Sequence, residues 1–406
     1  MRLSRRELLW GGAGALAMGS RALAQNAPEK PAVVMIFFRG GYNAFFTAAD
    51  GYLAKGLYGC TPSTVRDVGN GVVVDASTFG TLPDSVLSKM ATVGVAHGLS
   101  GHDFAQKYAW FQDRKSVPLQ LADALGGTAP FRCVHFGEAP GGAPHTPVGG
   151  ATMTAVPDLS AALALVSEQG GGPGRAQMAR ALEASLAYGA TRYAHSPKKL
   201  AKTWEGTHSL INALRQPLPP GVDWNDIAQA YGIDPLNQTA LSFPSHLAGA
   251  ELMLRAGADV VCITSSRVTL AAPSPNAGSH NWDTHGDGTG EVAREMMRAA
   301  ILPSLRVFLE RTLGAQGRNV VTVVYGDFAR IGGHTPTSSE HASGLSATVF
   351  GKYVRPGTTG RFDVGQNAGY RLPMGTPGYA GLWAYVTELT RAPSRPWGAN
   401  PHTSLA

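Results

Sequence analysis

Residues 31–38 read PAVVMIFF, an apolar run without a polar side chain, and the run is followed by Arg39, Gly40 and Gly41. A strand with one face in water alternates apolar and polar residues, whereas a strand of a parallel sheet is covered on both faces and reads as a continuous apolar segment. The run therefore predicts a strand inside a parallel sheet, with a glycine-rich turn at its carboxyl end.

Further apolar segments of this kind follow along the chain, at residues 91–97, 131–136, 259–265 and 319–325. In the second half they alternate with helical patterns at 245–256 and 291–313, and Pro303 is expected to kink the second of these. Strands joined through helices form right-handed crossovers and a parallel sheet. The predicted fold class is α/β, a mostly parallel central sheet flanked by helices.

The composition indicates one large domain with long loops. Of the 406 residues 44% are hydrophobic and 15% are charged, and the 51 glycines and 27 prolines indicate irregular segments. We expect a leader at 1–24 and a single α/β domain at 25–406, with a Gly/Pro-rich and helical insert or cap at about 140–240. The net charge of +6, half of it in the leader, is too small to indicate nucleic-acid binding.

The first 24 residues have the order of an export signal. A basic head containing Arg5 and Arg6 precedes a short glycine-rich apolar stretch and the sequence Ala-Leu-Ala at 22–24. Adjacent arginines are typical of the twin-arginine route, and an ordinary secretory signal or an uncleaved leader is the alternative. The leader predicts a periplasmic or secreted protein that meets the twin-arginine export machinery and does not insert stably into a membrane.

The chain contains three cysteines, Cys60, Cys133 and Cys262. An oxidising compartment permits Cys60 and Cys133 to pair, although a domain of this size does not need a disulfide. Cys262 lies in an apolar strand segment and is expected to pack as a small hydrophobic residue.

Side chains that bind metals follow the ends of the predicted strands. They are Asn43, His102, Asp283, His285, Asp327 and His341. Ligands of parallel α/β sheets bind beyond the carboxyl ends of the strands, and aspartate with histidine is a common ligand set for hard or borderline cations. The pattern predicts a divalent-metal site at this edge and does not distinguish zinc, manganese, calcium and magnesium.

Each of these residues also has a purely structural interpretation. The sequence Asp-Thr-His at 283–285 is common in capped turns, and Asp327 can cap a helix. His341 can form a surface ion pair with Glu340. Only the convergence of several such residues at one edge favours the metal site over these alternatives.

Two arginines also lie at strand ends, Arg39 and Arg330. An arginine at this place can grip a phosphate or sulfate through two parallel hydrogen bonds. The alternative for Arg39 is an ion pair with a nearby carboxylate such as Asp327, which would fix the loop. Trp282 is expected to be a packing residue.

Seven segments of the chain form a specific combination: the leader, 38–41 (FRGG), 102–106 (HDFAQ), 248–263, 282–285 (WDTH), 327–330 (DFAR) and 340–341 (EH). Together they resemble a secreted bacterial family known as domain of unknown function 1501, which is placed with the alkaline phosphatase and sulfatase superfamily. The resemblance runs through most of the chain after the leader, and the insert contributes little to it.

The resemblance implies an alkaline-phosphatase-like three-layer sandwich and metal-assisted transfer of a phosphoryl or sulfuryl group. One or two divalent metal ions are then expected, and a pair of cations about 4 Å apart activates the nucleophile and steadies the leaving oxygen. Carried over to this chain, Asp283, His285 and His341 hold one cation, while Asp327 and Asn43 contribute to the other. The implied catalytic residues are Ser100, His102, Arg39 and Arg330.

Two positions depart from the pattern of the family. Asn43 stands where relatives have an aspartate, and Gly101 stands where they have a serine. Ser100 is adjacent and precedes a helix predicted at about 102–114, whose N-terminal dipole favours a developing alkoxide. These departures indicate altered or weak catalysis or none at all, and a protein with one metal, held by Asp283, His285 and His341, is an alternative.

The sequence favours an exported metal-dependent hydrolase of a small-molecule or polymer ester of phosphate or sulfate. The alternative is a non-catalytic periplasmic protein of the same fold that binds an envelope polymer or a partner protein. A serine hydrolase that works without a metal is a weaker hypothesis, because the chain has no Gly-x-Ser-x-Gly elbow.

Overall fold

The structure, a computed structural model, describes ten parts of the chain. These are residues 29–99, 101–127, 131–138, 148–166, 175–192, 211, 222–236, 242–332, 339–364 and 370–406. The predicted leader, Ser100 and much of the predicted insert lie outside the described residues. Within the parts that the structure describes, no helix is both long enough and apolar enough to cross a membrane.

An eight-stranded sheet forms the centre of the fold. Its strands in chain order are β1 (Lys30–Phe38), β2 (Met90–Ala96), β3 (Cys133–Phe136), β4 (Met153–Val156), β5 (Val260–Ser265), β6 (Arg318–Gly326), β7 (Gly344–Gly351) and β8 (Gly357–Thr359). Across the sheet the order is β8-β2-β7-β6-β1-β5-β3-β4. The segment that the sequence places inside the sheet is β1, and its residues 32–38 have no exposed surface.

Seven strands run in one direction and β7 alone runs against its neighbours. β1 pairs in parallel with β6 and β5, so that Val33 lies opposite Val321 on one side and Val260 on the other. β7 pairs antiparallel with β6 and β2, and β8, β3 and β4 add parallel pairs. The prediction of a mostly parallel α/β sheet is confirmed. The carboxyl ends of β1, β2, β5 and β6 lie at the same edge.

The sequence pattern does not predict β4, β7 and β8. β4 lies within the predicted Gly/Pro-rich and helical insert, where no strand was expected. β7 reads GLSATVFG, and its small and polar residues conceal a strand that is buried along its whole length. The hydroxyl of Thr348 on this strand lies 2.8 Å from that of Tyr42, so a polar side chain is satisfied inside the core.

Helices cover both faces of the sheet. Phe37 and Phe38 are neighbours on β1 and therefore point to opposite faces. The ring of Phe37 lies 5.6 Å from that of Trp110, whereas the ring of Phe38 lies 6.2 Å from that of Phe243. Trp110 and Phe243 belong to different helices, so each face is covered by its own helical layer.

The described residues contain eleven α-helices. They are α1 (Asp50–Leu53), α2 (Asp84–Leu87), α3 (His102–Trp110), α4 (Val117–Leu125), α5 (Leu159–Val166), α6 (Arg175–Arg192), α7 (Trp224–Ala230), α8 (Phe243–Arg255), α9 (Glu291–Glu295), α10 (Leu302–Leu313) and α11 (Tyr379–Leu389). Five two-stranded sheets lie outside the central one: Val65–Gly69 with Val72–Asp75, Phe111–Gln112 with Lys115–Ser116, Arg267–Leu270 with Gly278–Asn281, Arg330–Gly332 with Ser339–His341, and Asp363–Val364 with Tyr370–Arg371.

The helix predicted to run to about residue 114 ends earlier, at Trp110. Asp113 and Arg114 have left-handed backbones, with φ of 50° and 62°, and no helix can continue through such residues. They turn the chain into a short hairpin instead.

The helix predicted at 291–313 is divided. A π-helical segment, Met296–Ile301, lies between α9 and α10, directly ahead of Pro303. Proline has no N–H for the helical ladder, and a wider turn before it accommodates the lost hydrogen bond. The predicted kink therefore takes the form of a π-turn.

All three cysteines are buried and free. Sγ of Cys60 lies 3.9 Å from the guanidinium of Arg294, and Cys133 lies on β3, so the pairing that the compartment would permit is not formed. Cys262 packs in the core with its Sγ 3.9 Å from Sδ of Met35, as a small hydrophobic residue does.

Candidate metal centre

The carboxyl edge of the sheet gathers residues from several parts of the chain. His102 begins α3, which follows β2, and Asp327 directly follows β6. Asp283 and His285 lie in the loop after β5 and its hairpin, and His341 ends the strand that precedes β7. The direction of the strands therefore brings these side chains to one place.

Four side chains form a compact group that we call the His-Asp cluster: His102, Asp283, His285 and His341. Each offers one ligand atom, and these atoms all lie within 4.8 Å of one another. A tetrahedral shell with bonds of about 2.1 Å spaces its ligands by roughly 3.4 Å, so small side-chain rotations would close the group around a cation. The cluster could hold a metal ion. It contains three of the predicted ligands and adds His102, which the sequence analysis assigned to catalysis.

Two histidines of the cluster direct the same ring nitrogen at the same oxygen. Nε2 of His102 and Nε2 of His285 each lie 3.2 Å from Oδ1 of Asp283. On the far side of the rings, Nδ1 of His102 lies 2.7 Å from Oδ2 of Asp327, and Nδ1 of His285 lies 2.9 Å from the carbonyl oxygen of Ser339. Because a carboxylate and a carbonyl only accept, each Nδ1 donates and each Nε2 can present its lone pair to the centre of the cluster.

Asp327 lies behind His102 and outside the cluster. Its side chain is fully buried, and Oδ1 accepts a hydrogen bond from the backbone N–H of Gly40 at 3.1 Å. Oδ2 accepts from His102 and, at 3.2 Å, from the amide of Gln106. Both oxygens of Asp327 are thus engaged by protein donors, which places this carboxylate to orient His102. Its predicted role as a direct metal ligand stays a prediction.

Gln106 has no part in the sequence-based site, although the signal for it is present. It lies four residues after His102 on α3, and residues four apart share one face of a helix. A histidine and an amide at this spacing reach the same carboxylate. A search for polar residues directly after strands identifies His102 but not Gln106, which lies one helical turn further on.

Opposing effects act on the pKa of His102. Burial lowers the pKa of the imidazole, and the hydrogen bond and charge of Asp327, together with the charge of Asp283, raise it by more. Asp327 and Asp283 thus favour the protonated imidazole of His102, and a cation that binds at its Nε2 has to displace that proton.

Arg330 is completely buried beneath Asp283. Its Nη2 donates to the carbonyl oxygen of Gly40 at 2.6 Å and to Oδ1 of Asp283. Burial raises the pKa of Asp283, but the charge and hydrogen bond of Arg330 lower it by more, so that the carboxylate stays ionised. The predicted grip of Arg330 on a substrate is replaced by a positioning role, because its side chain has no exposed surface.

Arg39 reaches solvent instead. Its side chain is 39% exposed, and Nη1 donates to Oε2 of Glu138 at 3.1 Å. The ion pair considered with Asp327 is not formed, since that carboxylate is engaged by His102 and by backbone. Arg39 is the arginine of the predicted pair that can meet a substrate anion.

Two glycines allow the chain to pass close to these charged groups. Gly40 has φ of 118°, and a Cβ atom there would lie 2.5 Å from the backbone nitrogen of Asp283. Gly41 has φ of 138°, and its Cβ would lie 2.9 Å from Nε of Arg330. Only glycine adopts such backbones readily and leaves this space open, which explains the Arg-Gly-Gly sequence after β1.

Phe328 closes the cluster from the side. Its ring is stacked on that of His341, with centroids 4.0 Å apart and planes 22° apart, and it lies 4.7 Å from the ring of His102. The sequence at 327–330 therefore supplies three contacts to the site: a carboxylate behind one histidine, a ring against another, and a guanidinium under the aspartate.

Two predicted site residues are not part of this arrangement. Asn43 precedes the short 3-10 helix Ala44–Phe46 and is 2% exposed, and its Oδ1 has no hydrogen-bond partner among the described residues. Its role at a second cation stays a prediction. Ser100 lies outside the described residues, and Gly101 is the N-cap residue that precedes α3.

The donor atoms of the cluster fit a divalent cation, with three imidazole nitrogens and one carboxylate oxygen. The side chains of Asp283 and His285 are 37% and 49% exposed, so the cluster opens to solvent on one side. Comparison of the chain with protein-family models, with curated proteins and with solved structures gives no match. The interpretation of this site therefore depends on its own geometry.

Proposed function

We propose that this chain is an exported metal-dependent hydrolase of a phosphate or sulfate ester, with one cation held by the His-Asp cluster. The supporting observation is the common orientation of His102 and His285 around Asp283. Histidines that only pack in a core do not need to aim two Nε2 atoms at one carboxylate oxygen while each Nδ1 is held from behind. Ligand histidines of metal sites are held in this way.

The donor set favours zinc or a similar borderline cation. Calcium and magnesium bind in shells of oxygen atoms, whereas zinc accepts imidazole nitrogen and carboxylate oxygen in one shell. We propose a single cation because Asp327, which was predicted to hold a second one, is occupied by His102, Gln106 and Gly40. The exposed side of the cluster leaves room for a substrate atom as a further ligand.

A bound divalent cation supplies Lewis-acid chemistry that neutralises charge on the oxygens of the ester. The residues of the chain do the rest. Asp327 keeps the ring of His102 oriented, and Arg330 keeps Asp283 ionised and in place. Arg39, at the exposed rim, can turn from Glu138 to an anionic phosphate or sulfate group through two parallel hydrogen bonds. Ser100, two residues ahead of His102 in the sequence, is the proposed nucleophile.

We also propose that the chain belongs to the secreted family that it resembles and has the alkaline-phosphatase-like form of the three-layer sandwich. The support is that the residues of the shared segments act together. The glycines after β1 make room for Asp283 and Arg330, and the segment 327–330 contacts three members of the site. Export to the periplasm through the twin-arginine route is part of the same proposal and depends on the leader sequence.

A second candidate is a non-catalytic periplasmic protein of the same fold that binds a polymer or a partner. The contact between Arg330 and Asp283 favours it, because this ion pair balances the charge of the cluster by protein groups alone. The neutral side chain of Asn43, at a position where the resembled family has an aspartate, points the same way.

The first test of the metal site is elemental analysis of protein isolated from the periplasm. We expect about one zinc-class ion per chain, and a large loss of metal in Asp283→Ala and His285→Ala. The matched control is His280→Ala, since His280 lies in the same loop region but bonds to the backbone of Asn276. Unchanged metal content in both cluster variants would remove these residues from the site.

Turnover separates the two candidate functions. We expect hydrolysis of 4-nitrophenyl phosphate or 4-nitrophenyl sulfate that stops on chelation and returns with the metal. Bound metal with no turnover of either ester would favour the non-catalytic candidate. Turnover that persists in metal-free protein would contradict the proposed chemistry.

A further inference from the structure

A cavity of about 400 Å³ lies next to the metal centre, at the carboxyl ends of β3 and β5. The side chains that decide its chemistry are Glu138, Pro157, Phe243, His246, Ser266 and Arg267. No residue of the His-Asp cluster lines it, so it is a separate place on the same edge of the sheet.

Arg39 and Trp282 form the boundary between the cavity and the cluster. The backbone N–H of Arg39 donates to the carbonyl oxygen of Ser265 at 3.0 Å, and its side chain reaches Glu138 on the cavity wall. Trp282 precedes Asp283 and donates its indole N–H to the hydroxyl of Ser265 at 3.1 Å. Ser265 lines the cavity and bonds to both segments, so the cavity lies beside the segments that carry the cluster.

The cavity combines an apolar wall with hydrogen-bonding groups of both kinds. Phe243 and Pro157 supply the apolar surface. Glu138 is 66% exposed, and it accepts a hydrogen bond from the hydroxyl of Ser266 at 3.1 Å. The guanidinium of Arg267, which is exposed, supplies hydrogen-bond donors for a ligand. A purely aliphatic or aromatic group would cover these polar groups without pairing them, at a cost in binding free energy. A ring with an apolar face and a rim of hydroxyl groups pairs with both.

His246 adds an independent observation. It lies on α8, is 9% exposed and lines the cavity, and its Nε2 has no hydrogen-bond partner among the described residues. Burial lowers the pKa of His246 to about 4, so the ring is neutral in ordinary buffers. An unpartnered buried polar atom is costly and is rare in folded proteins. A ligand hydroxyl entering the cavity would provide the missing partner.

We propose that this cavity binds the alcohol part of the ester, and that this alcohol is polyhydroxylated, of the sugar or polyol class. The proposal rests on the proposed function, since it takes the His-Asp cluster as the place where the ester is cleaved. Over the complete reaction the P–O or S–O bond to the alcohol breaks, and water supplies the oxygen that joins phosphorus or sulfur. Water also supplies the proton that the alcohol oxygen gains, so no further reactant is needed.

The test fills the cavity and compares two kinds of ester. Ser266→Phe places a ring in the cavity, and the matched control Ser63→Phe places one in a different cleft, which Ser63 lines near Arg294. We measure kcat/KM for glucose 6-phosphate and glucose 6-sulfate and divide it by kcat/KM for the corresponding 4-nitrophenyl ester. We expect this ratio to fall at least tenfold in Ser266→Phe and to stay within twofold in the control. An equal change for both kinds of ester in Ser266→Phe would overturn the proposal.

A binding measurement keeps the cavity testable even if no ester is hydrolysed. Saturation-transfer NMR with glucose, glucosamine and glucuronate needs no turnover. We expect transfer to the ring protons of at least one hexose with the unmodified chain, and its loss in Ser266→Phe. No transfer to any of the three, or transfer that persists in that variant, would refute the cavity proposal. Failure of hydrolysis with 4-nitrophenyl esters refutes only the proposed function.

Discussion

The substitution Asp327→Asn separates two readings of the metal centre. The sequence pattern makes Asp327 a direct ligand, whereas the structure places it 2.7 Å behind Nδ1 of His102. An asparagine keeps the size of the side chain and can still accept from the backbone N–H of Gly40. It removes the negative charge that orients the imidazole and makes it a better donor to a metal.

The expected loss of metal affinity follows from this place behind the ligand. Removing a partner that holds a ligand histidine typically weakens metal binding by about 10- to 100-fold, which corresponds to roughly 1.4–2.7 kcal/mol. Removing a direct ligand costs more. A four-ligand zinc site worth about 10–16 kcal/mol loses roughly 2.5–4 kcal/mol per ligand if the ligands share it equally, a factor of about 70 to 900.

Competition against a chromogenic zinc chelator measures the dissociation constant for each variant. His285→Ala provides the reference for a lost ligand, and Glu340→Gln, an exposed carboxylate beside His341, is the control that should stay within twofold of the unmodified chain. Circular dichroism confirms that each variant is folded. A loss in Asp327→Asn as large as that in His285→Ala would show Asp327 to be a direct ligand. A change below twofold would show that it does not orient His102.

Three further predictions address the turn, the pH dependence and the export of the protein. Gly40→Ala is expected to lower the free energy of unfolding by at least about 1–3 kcal/mol in urea titrations and to reduce bound metal, because its Cβ would lie 2.5 Å from the backbone of Asp283. Burial lowers the pKa of His402 from 6.5 to about 4, so the unfolded chain takes up a proton first and stability falls from about pH 6.5 to pH 4. The loss amounts to about 3 kcal/mol, and His402→Gln should flatten the stability profile over this range; an unchanged profile would contradict the assignment. Replacing Arg5 and Arg6 by lysines should retain the precursor in the cytoplasm in cell-fractionation blots, and normal export would indicate another route.

The centre of the fold could be predicted because buried parallel strands leave a strong trace in the sequence. β1 and β6 are continuous apolar runs, and the structure has them at the predicted residues within one position at each end. β7 could not be predicted, since its burial depends on neighbours that are far away in the chain. The hydroxyl of its Thr348 finds partners there in Tyr42 and Thr47, and the local sequence pattern cannot show this.

The position of the site could be predicted from strand ends, and the roles of its residues could not. His102 and Asp327 both follow strands, but whether a side chain faces the cation or stands behind another ligand depends on its direction in space. The exposure of Arg39 and the burial of Arg330 likewise follow from packing, and both arginines have the same appearance in the sequence. The sequence thus shows which residue types gather at the site, but it does not show which side chain contacts which.

The antiparallel strand of the central sheet, β7, has a consequence for how this protein can be redesigned. Asp327 directly follows β6 and His341 lies shortly before β7, and these two strands are hydrogen-bonded side by side. The backbone N–H of Ala342 adds a further hydrogen bond, to the carbonyl oxygen of Ala329 at 3.0 Å. The two ends of the segment between Asp327 and His341 are thus anchored by backbone hydrogen bonds that do not depend on the length of the segment. The closure entropy of a flexible segment between two fixed anchors grows slowly, by about 0.6 kcal/mol per doubling of its length. A longer connection between these two anchors is therefore compatible with the same placement of Asp327 and His341.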